Sequence, residues 1–238
     1  MGSSSPARAD LAFVIPARNE AGFVGAAVKS VIDQTIPHGR LELIVVENGS
    51  TDDTAGGARR AAEQATGLRR AIISHSPAGI APAKNRGATE ARARVLVFLD
   101  ADSRASPELA WRVLDRVARG YPAGSIKIVA DSNDWLDHGF FALIDWGKGL
   151  FGIHANMLYC ERDLFLRSGG FGEQIRLAED LDFMVRLQRQ GVRVCHVNDA
   201  FIATSPRRLH ALPFRLGLLT MFGRWTLAHL GIGRRWRY

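Results

Sequence analysis

Short runs of apolar residues alternate with longer segments of mixed polarity through the first hundred residues of the chain. Each run is bounded by polar or turn-forming residues, a pattern typical of strands that are buried on both faces. The predicted strands are Leu11–Ile15, Leu41–Val46, Ala71–Ser74 and Val95–Leu99. The segments between them have the length of helices, so the pattern predicts an α/β fold with a mostly parallel sheet flanked by helices.

Four helices are predicted between and after these strands. Apolar residues recur at helical spacing over Phe23–Ile32, and helices are also predicted over residues 55–65 and over Ala81–Ala93. After the fourth strand, Ser106 has the side chain of an N-cap, and Pro107 suits the first position of a helix. Predicted strands and helices therefore alternate without interruption as far as this fourth helix.

The second half of the chain is less regular. A strand is predicted over Ile126–Ala130, and residues 131–160 mix aromatic and polar residues without a clear period. The glycines of 169–172 predict a turn. A helix follows over Ala178–Gln190, and Val192–Val197 is predicted to be a late strand.

Polar side chains follow three of the predicted strands. The segments are Ala17–Glu20 (ARNE), residues 47–53 (ENGSTDD) and residues 100–103 (DADS). Ligands of such sheets bind beyond the carboxyl ends of the strands, so the three segments are expected along one edge. The carboxylates would then lie close together, which is unfavourable unless a cation or several hydrogen-bond donors compensate their charge; they are Glu20, Glu47, Asp100 and Asp102.

The net charge of +7 is confined to one end of the chain. Seven arginines and no acid lie between Pro206 and Tyr238, whereas the other 205 residues hold 24 basic and 24 acidic residues. A neutral body with a basic tail indicates a local electrostatic contact rather than a nucleic-acid-binding surface. We expect a disordered N-terminus over 1–9, one domain over 10–205 and a basic, apolar tail over 206–238.

The sequence predicts a cytoplasmic protein. It has no apolar run of the roughly 18 to 20 residues that a spanning helix needs, and the N-terminus lacks the apolar core of a signal peptide. Cys160 and Cys195 stand alone, without a CxxC spacing, and are expected to be reduced packing residues. The first strand is followed by ARNEAGFVG rather than by GxGxxG, which disfavours dehydrogenases and methyltransferases. The motifs GxSxG, HExxH and GxxxxGK[ST] are absent from the sequence.

Five blocks occur in an order that resembles glycosyltransferase family 2, the inverting nucleotide-sugar transferases with the GT-A fold. They are FVIPARNE, IVVENGSTDDT, AKNRGATEA, VFLDADS and GGFGEQIRLAEDLDFMVRLQRQG. The resemblance covers roughly residues 10–205. It implies a Rossmann-like GT-A domain that binds a UDP-, GDP- or dTDP-sugar and transfers the sugar to an acceptor hydroxyl.

The resemblance also implies a set of donor-binding residues. The loop that packs against the nucleotide corresponds to Pro16, Ala17, Asn19 and Glu20. Glu47 takes the place of the aspartate that reads the base or ribose, although the family's Asp-Asp pair is here Glu-Asn. Lys84 replaces an arginine that helps to hold the nucleotide. The alternatives are a solvated loop acid for Glu47 and an exposed helix face for Lys84 and its neighbour Arg86.

Asp100 and Asp102 match the metal-binding DxD motif of the family. Two carboxylates alone would repel a diphosphate, so a hard divalent cation, Mg²⁺ or Mn²⁺, is expected to bridge them. Some GT-A enzymes take a third metal ligand from a late histidine, for which His196 and His210 are the candidates. A packed or surface histidine is the favoured interpretation of both.

Glu179 and Asp180 match the family's E-D motif at the start of a helix, and the resemblance makes Asp180 the general base. Asp182 lies two residues farther on and is expected to be a surface or helix-end acid, and Arg186 either forms a salt bridge or contacts substrate. The acceptor site is expected around Glu179, Trp135 and Trp146. Core packing is an equally good or better interpretation of each tryptophan.

These expectations describe a metal-dependent inverting glycosyltransferase whose acceptor is a glycan or a lipid-linked molecule. The alternative is a catalytically silent GT-A scaffold that binds a nucleotide sugar or a protein partner. Arginines and aromatic residues in the tail favour contact with the inner face of an anionic membrane. Folding of the tail back onto the domain, or its use in dimerisation, is the alternative, and a nucleic-acid partner is disfavoured.

Overall fold

The computed structural model describes residues 9–64, 68–152, 154–175 and 178–210. Eight strands form one sheet in this part of the chain, in the order β3-β2-β1-β4-β7-β6-β8-β5. The strands are β1 (Leu11–Ala17), β2 (Leu41–Glu47), β3 (Arg70–His75), β4 (Val95–Phe98), β5 (Ser103–Ala105), β6 (Ala123–Ala130), β7 (Leu158–Glu161) and β8 (Val194–Thr204).

Eight helices accompany the sheet in the described residues. They are α1 (Val24–Ile32), α2 (Thr54–Glu63), α3 (Ile80–Glu90), α4 (Leu109–Ala118), α5 (Trp135–Phe151), α6 (Arg162–Arg167), α7 (Glu179–Arg189) and α8 (Arg207–His210). None of the helices among the described residues has the length and apolarity that a membrane crossing requires.

The first four predicted strands are confirmed as a parallel half-sheet. β1 pairs in parallel with β2 and β4, and β2 pairs in parallel with β3. Along β1, Phe13 and Ile15 face one side, where α1, α2 and α4 pack, while Val14 faces the other side, where α3, α6 and α7 pack. Both faces are thus buried, which explains the continuous apolar runs of these strands.

The other half of the sheet is mixed. β7 lies antiparallel between β4 and β6, β5 pairs antiparallel with β8, and β6 pairs in parallel with β8. Neither β5 nor β7 was predicted. The late strand begins at Val194 and runs to Thr204, well beyond the predicted end, with an irregularity opposite Ile126 and Lys127.

One helix was not predicted, and the predicted start of another was wrong. Residues 135–151, which showed no clear period, form the longest described helix, α5. The predicted N-cap Ser106 does not begin α4, which starts at Leu109 after Glu108. The hydroxyl of Ser106 instead accepts the backbone N–H of Phe201 at 3.1 Å and so joins the loop to β8.

Residues next to both predicted domain boundaries pack on the described domain. Ala9, placed in the disordered N-terminus, is 2% exposed, and its carbonyl accepts the N–H of Arg94 at 3.1 Å. At the other end, α8 belongs to the predicted tail but packs on the domain through Leu209, which is 2% exposed. Residues 1–8 and 211–238 lie outside the described part of the chain. Both cysteines are free, as predicted.

Candidate active site

The carboxyl ends of β2, β1 and β4 form one edge of the sheet. Ala17 is in register with Glu47 at the ends of β1 and β2, and β4 leads directly into the turn that contains Asp100. The backbone N–H of Asn48 donates to the carbonyl of Ala17 at 3.1 Å, so the loops start side by side. The predicted gathering of the three polar segments at this edge is therefore present.

The loop after β1 is fixed to the loop after β2. Asn19, in the left-handed region at φ 54°, donates its backbone N–H to Ser50 Oγ at 3.1 Å. Its side-chain oxygen accepts the N–H of Thr51 at 2.8 Å. The N–H of Glu20 donates to Thr54 Oγ1 at 2.8 Å. The ARNE segment thus presents a rigid backbone at the edge, next to Pro16 and Ala17 at the end of β1.

Glu47 is held by hydrogen bonds and is not a solvated loop acid. Its carboxylate accepts the N–H of Ser50 and lies 3.0 Å from Nδ1 of His75, and its side chain is 14% exposed. Partial burial opposes ionisation, but the hydrogen bonds to Ser50, His75 and Gly49 outweigh it and lower the pKa of Glu47 to about 2. The group is therefore a permanent acceptor at this edge.

Asn48, the second residue of the Glu-Asn pair that replaces the family's Asp-Asp, links this loop to α3. Its Nδ2 donates to the carbonyl of Gly79 at 3.0 Å, immediately before α3 begins. Its Oδ1 is buried and has no hydrogen-bond partner among the described residues. An amide suits this position because a carboxylate could not donate to a carbonyl.

The DxD turn is closed by an arginine from the start of the tail. Asp102 is largely buried, with 7% of its side chain exposed, and its Oδ2 lies 3.0 Å from Nη2 of Arg207. The same guanidinium pairs with Glu20 and lies 4.5 Å from the ring centroid of Phe23. Arg207 therefore compensates the negative charges of Glu20 and Asp102 at the edge. The sequence alone did not identify this partner.

Lys84 supplies the second positive charge, and it is buried rather than on an exposed helix face. Its Nζ donates to Glu179 Oε1 at 2.8 Å, and the residue is 6% exposed. Burial opposes the charge, but the carboxylates of Glu179, Asp100 and Asp180 outweigh it and raise the pKa of Lys84. Arg86 does have the exposed position, where it pairs with Glu90 at 2.7 Å.

The turn before α7 is locked against α3. Asn85 accepts the N–H of Phe171 and donates to its carbonyl, both at 2.9 Å. Gly170 has φ +63°, and a Cβ there would come within 2.6 Å of Asn85 Oδ1, so glycine is required. The ring of Phe171 lies 5.2 Å from Lys84 Nζ. This contact fixes Lys84 between the DxD turn and α7.

Asp180 lies in the first turn of α7 and is 8% exposed. It accepts the backbone N–H of Asn156 and that of Leu181, the latter at 2.8 Å. Burial and the neighbouring charge of Glu179 outweigh Lys84 and the two hydrogen bonds, and they raise the pKa of Asp180 to about 6. The carboxylate is thus ionised at neutral pH yet more basic than an ordinary aspartate.

Asp182 and Arg186, farther along α7, pair with each other. Arg186 Nε donates to Asp182 at 3.0 Å, and its other nitrogens donate to the carbonyls of Ser168 and Gly170. Asp182 is consequently engaged at the helix surface, as predicted. For Arg186 the structure supports the salt-bridge interpretation.

A cluster of polar side chains lies near Asp180, the candidate general base. Ser125 Oγ is 3.0 Å from His154 Nδ1 and 2.9 Å from His196 Nδ1, and His196 Nε2 is 3.0 Å from Asp145. Beside it, Lys148 donates to a backbone carbonyl, and burial outweighs the charges of Asp180 and Asp145 to lower the pKa of Lys148 to about 8. These groups were not predicted as a cluster, because no local spacing connects them.

His196 does not reach the DxD turn. It pairs in register with Ser125, whereas Thr204, next to that turn, pairs with Ala130. The five residue steps from Ser125 to Ala130 correspond to about 17 Å along a strand, too far for ligands of one ion. His210 pairs with Asp137 at 3.0 Å instead. The third-ligand candidates are therefore structural histidines, in line with the favoured interpretation.

Trp135 and Trp146 lie on the outer face of α5, 76% and 65% exposed. Their interpretation as core residues is wrong. Lys148, which is 2% exposed, occupies the inner face of the same helix. Glu179, expected on the acceptor side, is buried and engaged with Lys84.

Comparisons with known proteins agree with this geometry. The sequence model of Glycosyl transferase family 2 matches residues 12–165. The PGL/p-HBAD biosynthesis glycosyltransferase of Mycobacterium tuberculosis is 30% identical over 178 residues, 73% of this chain and 67% of that protein. Succinoglycan biosynthesis protein ExoU of Rhizobium meliloti is 26% identical over 80% of this chain, which spans 60% of that protein's length.

A shorter match is the undecaprenyl-phosphate 4-deoxy-4-formamido-L-arabinose transferase of Pseudomonas aeruginosa, 30% identical over 51% of this chain and 37% of its own length. The chain thus spans less than two thirds of several relatives.

Two solved structures share the fold. S. aureus TarS 1-349 in complex with UDP-GlcNAc has a TM-score of 0.66 at 16% identity over 82% of this chain and 58% of that chain. The mannosyltransferase PcManGT of Pyrobaculum calidifontis, in complex with GDP-Man and Mn²⁺, has a TM-score of 0.66 at 21% identity over 93% and 67%. The fold is GT-A, and the chain belongs to glycosyltransferase family 2.

Proposed function

We propose that this protein is an inverting, metal-dependent glycosyltransferase that moves a sugar from a nucleoside diphosphate to an acceptor hydroxyl. The observation that carries the proposal is the convergence of three carboxylates on Lys84. Glu179 bonds to it directly, and the charges of Asp100, from the DxD turn, and Asp180, from α7, both act on it. Asp100, proposed to face the donor, and Asp180, the proposed base, thus both lie near the positive charge of Lys84.

The nucleotide half of the donor fits the edge formed by β1 and β2. Glu47 is ionised and can accept hydrogen bonds from a base or ribose, and the ARNE backbone is held in place by hydrogen bonds with Ser50 and Thr51. The diphosphate would lie toward Asp100 and Asp102. The positive charges of Lys84 and Arg207 oppose the repulsion between these acids and the diphosphate.

The residues present fit a divalent cation that is shared with the donor. Among the described residues there is no group of three histidine, cysteine or acidic side chains that could enclose an ion. Mg²⁺ commonly binds through one or two carboxylates plus phosphate oxygens, and Asp100 and Asp102 meet that requirement. When bound, Mg²⁺ or Mn²⁺ would neutralise charge on the leaving diphosphate.

Asp180 is the proposed general base. Its carboxylate takes the proton of the acceptor hydroxyl while the hydroxyl oxygen bonds to the anomeric carbon. The bond from that carbon to the diphosphate oxygen breaks on the opposite face, so the configuration inverts. A pKa of about 6 leaves Asp180 ionised at neutral pH while making it a better proton acceptor than an exposed aspartate.

The proposed acceptor is lipid-linked or a cell-envelope glycan. Support comes from the name of the undecaprenyl-phosphate transferase among the relatives and from the basic tail. The structural neighbours, bound to UDP-GlcNAc and GDP-Man, favour a UDP- or GDP-sugar as donor over a dTDP-sugar. The tail would hold the protein at the cytoplasmic face of an anionic membrane.

A panel of nucleotide sugars tests this proposal. With Mn²⁺ or Mg²⁺, one donor is expected to raise the thermal unfolding temperature and, with acceptor present, to release nucleoside diphosphate. Asp102→Asn is expected to lose the metal-dependent part of the thermal shift. Asp33→Asn is the matched control, because that carboxylate pairs with Lys29 on an exposed surface away from the donor edge.

Two results would count against the proposal. Normal sugar transfer by Asp102→Asn would contradict the metal assignment. Donor binding without turnover across acceptors would favour the silent scaffold instead.

A further inference from the structure

One face of α5 carries an unusual concentration of exposed apolar side chains. Trp135, Leu136, Leu143 and Trp146 are 76%, 42%, 60% and 65% exposed, and they are half of the eight large apolar residues exposed in the described chain. At about 100° per residue, the four lie within about 100° of the helix circumference. We call these four residues the apolar stripe.

The stripe contains no charged side chain. Gly139 and Ala142 lie between its large members, and both are exposed. From Trp135 to Trp146 the stripe extends about 17 Å at 1.5 Å per residue. A soluble surface rarely leaves such a continuous row of tryptophan and leucine uncovered, so the stripe indicates a contact surface.

The opposite face of α5 borders the candidate active site. Asp137, Phe141 and Lys148 are 1%, 9% and 2% exposed. The charge of Asp180 acts on Lys148, and Asn156, five residues after α5 ends, donates its N–H to Asp180. A single helix therefore separates the apolar stripe from the proposed base.

The basic part of the chain begins at the same helix. His210 Nε2 lies 3.0 Å from Asp137 Oδ1, in the first turn of α5, which also carries Trp135 and Leu136. The 28 residues that follow contain five arginines and no acid. Apolar side chains and a local excess of positive charge thus start from one place on the surface.

We propose that the apolar stripe docks on the surface of an anionic bilayer, a partner whose charge is complementary to the arginine-rich sequence that follows His210. Tryptophan is the side chain most typical of the membrane interface, and anionic lipids complement the arginines. A lipid-linked acceptor would then reach Asp180 without leaving the bilayer surface. This last consequence rests on the proposed function, whereas docking itself needs no turnover.

A bilayer fits the stripe better than a second copy of the chain does. Two tryptophans and two leucines at these exposures present an area on the order of 500 Å². A stable interface commonly buries about 800 Å² on each partner.

Vesicle co-sedimentation of the full chain tests the proposal. Wild type is expected to bind vesicles of phosphatidylcholine with one quarter phosphatidylglycerol, and to bind pure phosphatidylcholine far less. Trp135→Ser/Trp146→Ser is expected to lower the affinity for the anionic vesicles at least tenfold. Trp111→Ser removes a tryptophan of similar exposure, 50%, from α4 and is expected to bind like wild type.

Several results would overturn the proposal. The double variant, folded by circular dichroism, could bind anionic vesicles as tightly as wild type, which would leave docking to the tail alone. It could instead lose self-association in sedimentation equilibrium while vesicle binding is unchanged, which would assign the stripe to a dimer. A lower unfolding temperature with unchanged vesicle binding would assign it to an intramolecular contact.

The failure of docking and the failure of the proposed function give different results. Asp180→Asn is expected to slow transfer by about 10²–10⁴-fold and to keep full vesicle binding. If wild type binds vesicles through the stripe but transfers no sugar, docking stands and the proposed function does not.

Discussion

Lys84 shows how single residues make the candidate site possible. A buried lysine is unfavourable unless nearby acids compensate for lost hydration, and here Glu179, Asp100 and Asp180 do so. The same cation lowers the repulsion among those acids. Each acid therefore depends on Lys84, and Lys84 depends on them, although Lys84 and Glu179 are 95 residues apart in sequence.

Replacing Lys84 is expected to destabilise the protein strongly. Lys84→Met leaves Glu179 buried without its partner, and the loss of one member of a buried ion pair costs about 3–5 kcal/mol. Chemical denaturation measures the free energy of unfolding. Lys84→Met/Glu179→Gln is expected to recover part of the loss because the orphaned charge is removed.

Lys29→Met is the control for that experiment. Lys29 pairs with Asp33 on an exposed surface, with side-chain exposures of 70% and 49%, so its loss is expected to cost about 0.5 kcal/mol or less. A loss for Lys84→Met as small as that of the control would show that the buried pair does not stabilise the fold.

Glu47 makes stability depend on pH in a defined window. Its folded pKa of about 2 lies below its ordinary value of 4.5, so the ionised form stabilises the folded state above about pH 4.5. That contribution is lost as the pH falls toward 2. Glu47→Gln is expected to unfold at a lower temperature than wild type at pH 6, with the difference shrinking at pH 3.

The control for Glu47 is Glu63→Gln, at an exposed position near the end of α2. It is expected to track wild type at both pH values. A difference between Glu47→Gln and wild type that stays constant from pH 6 to pH 3 would contradict the pKa assignment.

At the scale of elements, α3 holds the site together because it lies close to the sheet. A Cβ at Gly87 would come within 2.3 Å of Val14 Cγ1 on β1. The missing side chain lets α3 approach β1, and this approach brings Lys84, one turn earlier, under the DxD turn. Gly87 does not have a positive φ, so its backbone conformation would allow another residue. Close packing against Val14 is what requires glycine here.

Gly87→Ala is therefore expected to lower stability by about 1–3 kcal/mol, the usual cost of overpacking a core. Gly25→Ala in α1 is the matched control. A Cβ at Gly25 meets no atom within 4 Å, so alanine is expected to be neutral or to stabilise by up to about 1 kcal/mol. Thermal or chemical unfolding of both variants checks the contrast. Equal effects would show that α3 is not closely packed at Gly87.

The elements that the sequence predicted are those whose signals are local. β1, β2 and β4 are continuous apolar runs because both of their faces are buried. β5 has three residues and forms only because β8 lies beside it. α5 has no clear period because its outer face is apolar as well, so a pattern that assumes a polar outer face does not detect it.

At the scale of the whole molecule, different regions of the fold supply different parts of the proposed site. The parallel half supplies the nucleotide edge and the DxD turn, and α7, preceded by the turn that Asn85 fixes, supplies Asp180. Arg207 joins the start of the tail to both Glu20 and Asp102. The two halves are therefore linked at the site as well as through the sheet.

The sequence predicted the edge of the sheet but not the cations that make it stable. The order of strands and loops placed Glu20, Asp100 and Asp102 together. It could not show Arg207, because the contacts to Asp102 and Glu20 join residues 105 and 187 positions apart. The sequence predicted positive charge beside Asp100 and Asp102. Part of that charge is supplied by Arg207 of the protein itself.

The most direct test of the account is the rate of sugar transfer by Asp180→Asn at neutral pH and saturating donor. The account predicts a fall of about 10²–10⁴-fold with an unchanged donor dissociation constant, because a general base is lost while the donor edge is intact. Asp182→Asn, in the same helical turn but paired with Arg186, is expected to transfer within a few-fold of wild type. Transfer by Asp180→Asn at a rate close to that of wild type would contradict the central claim.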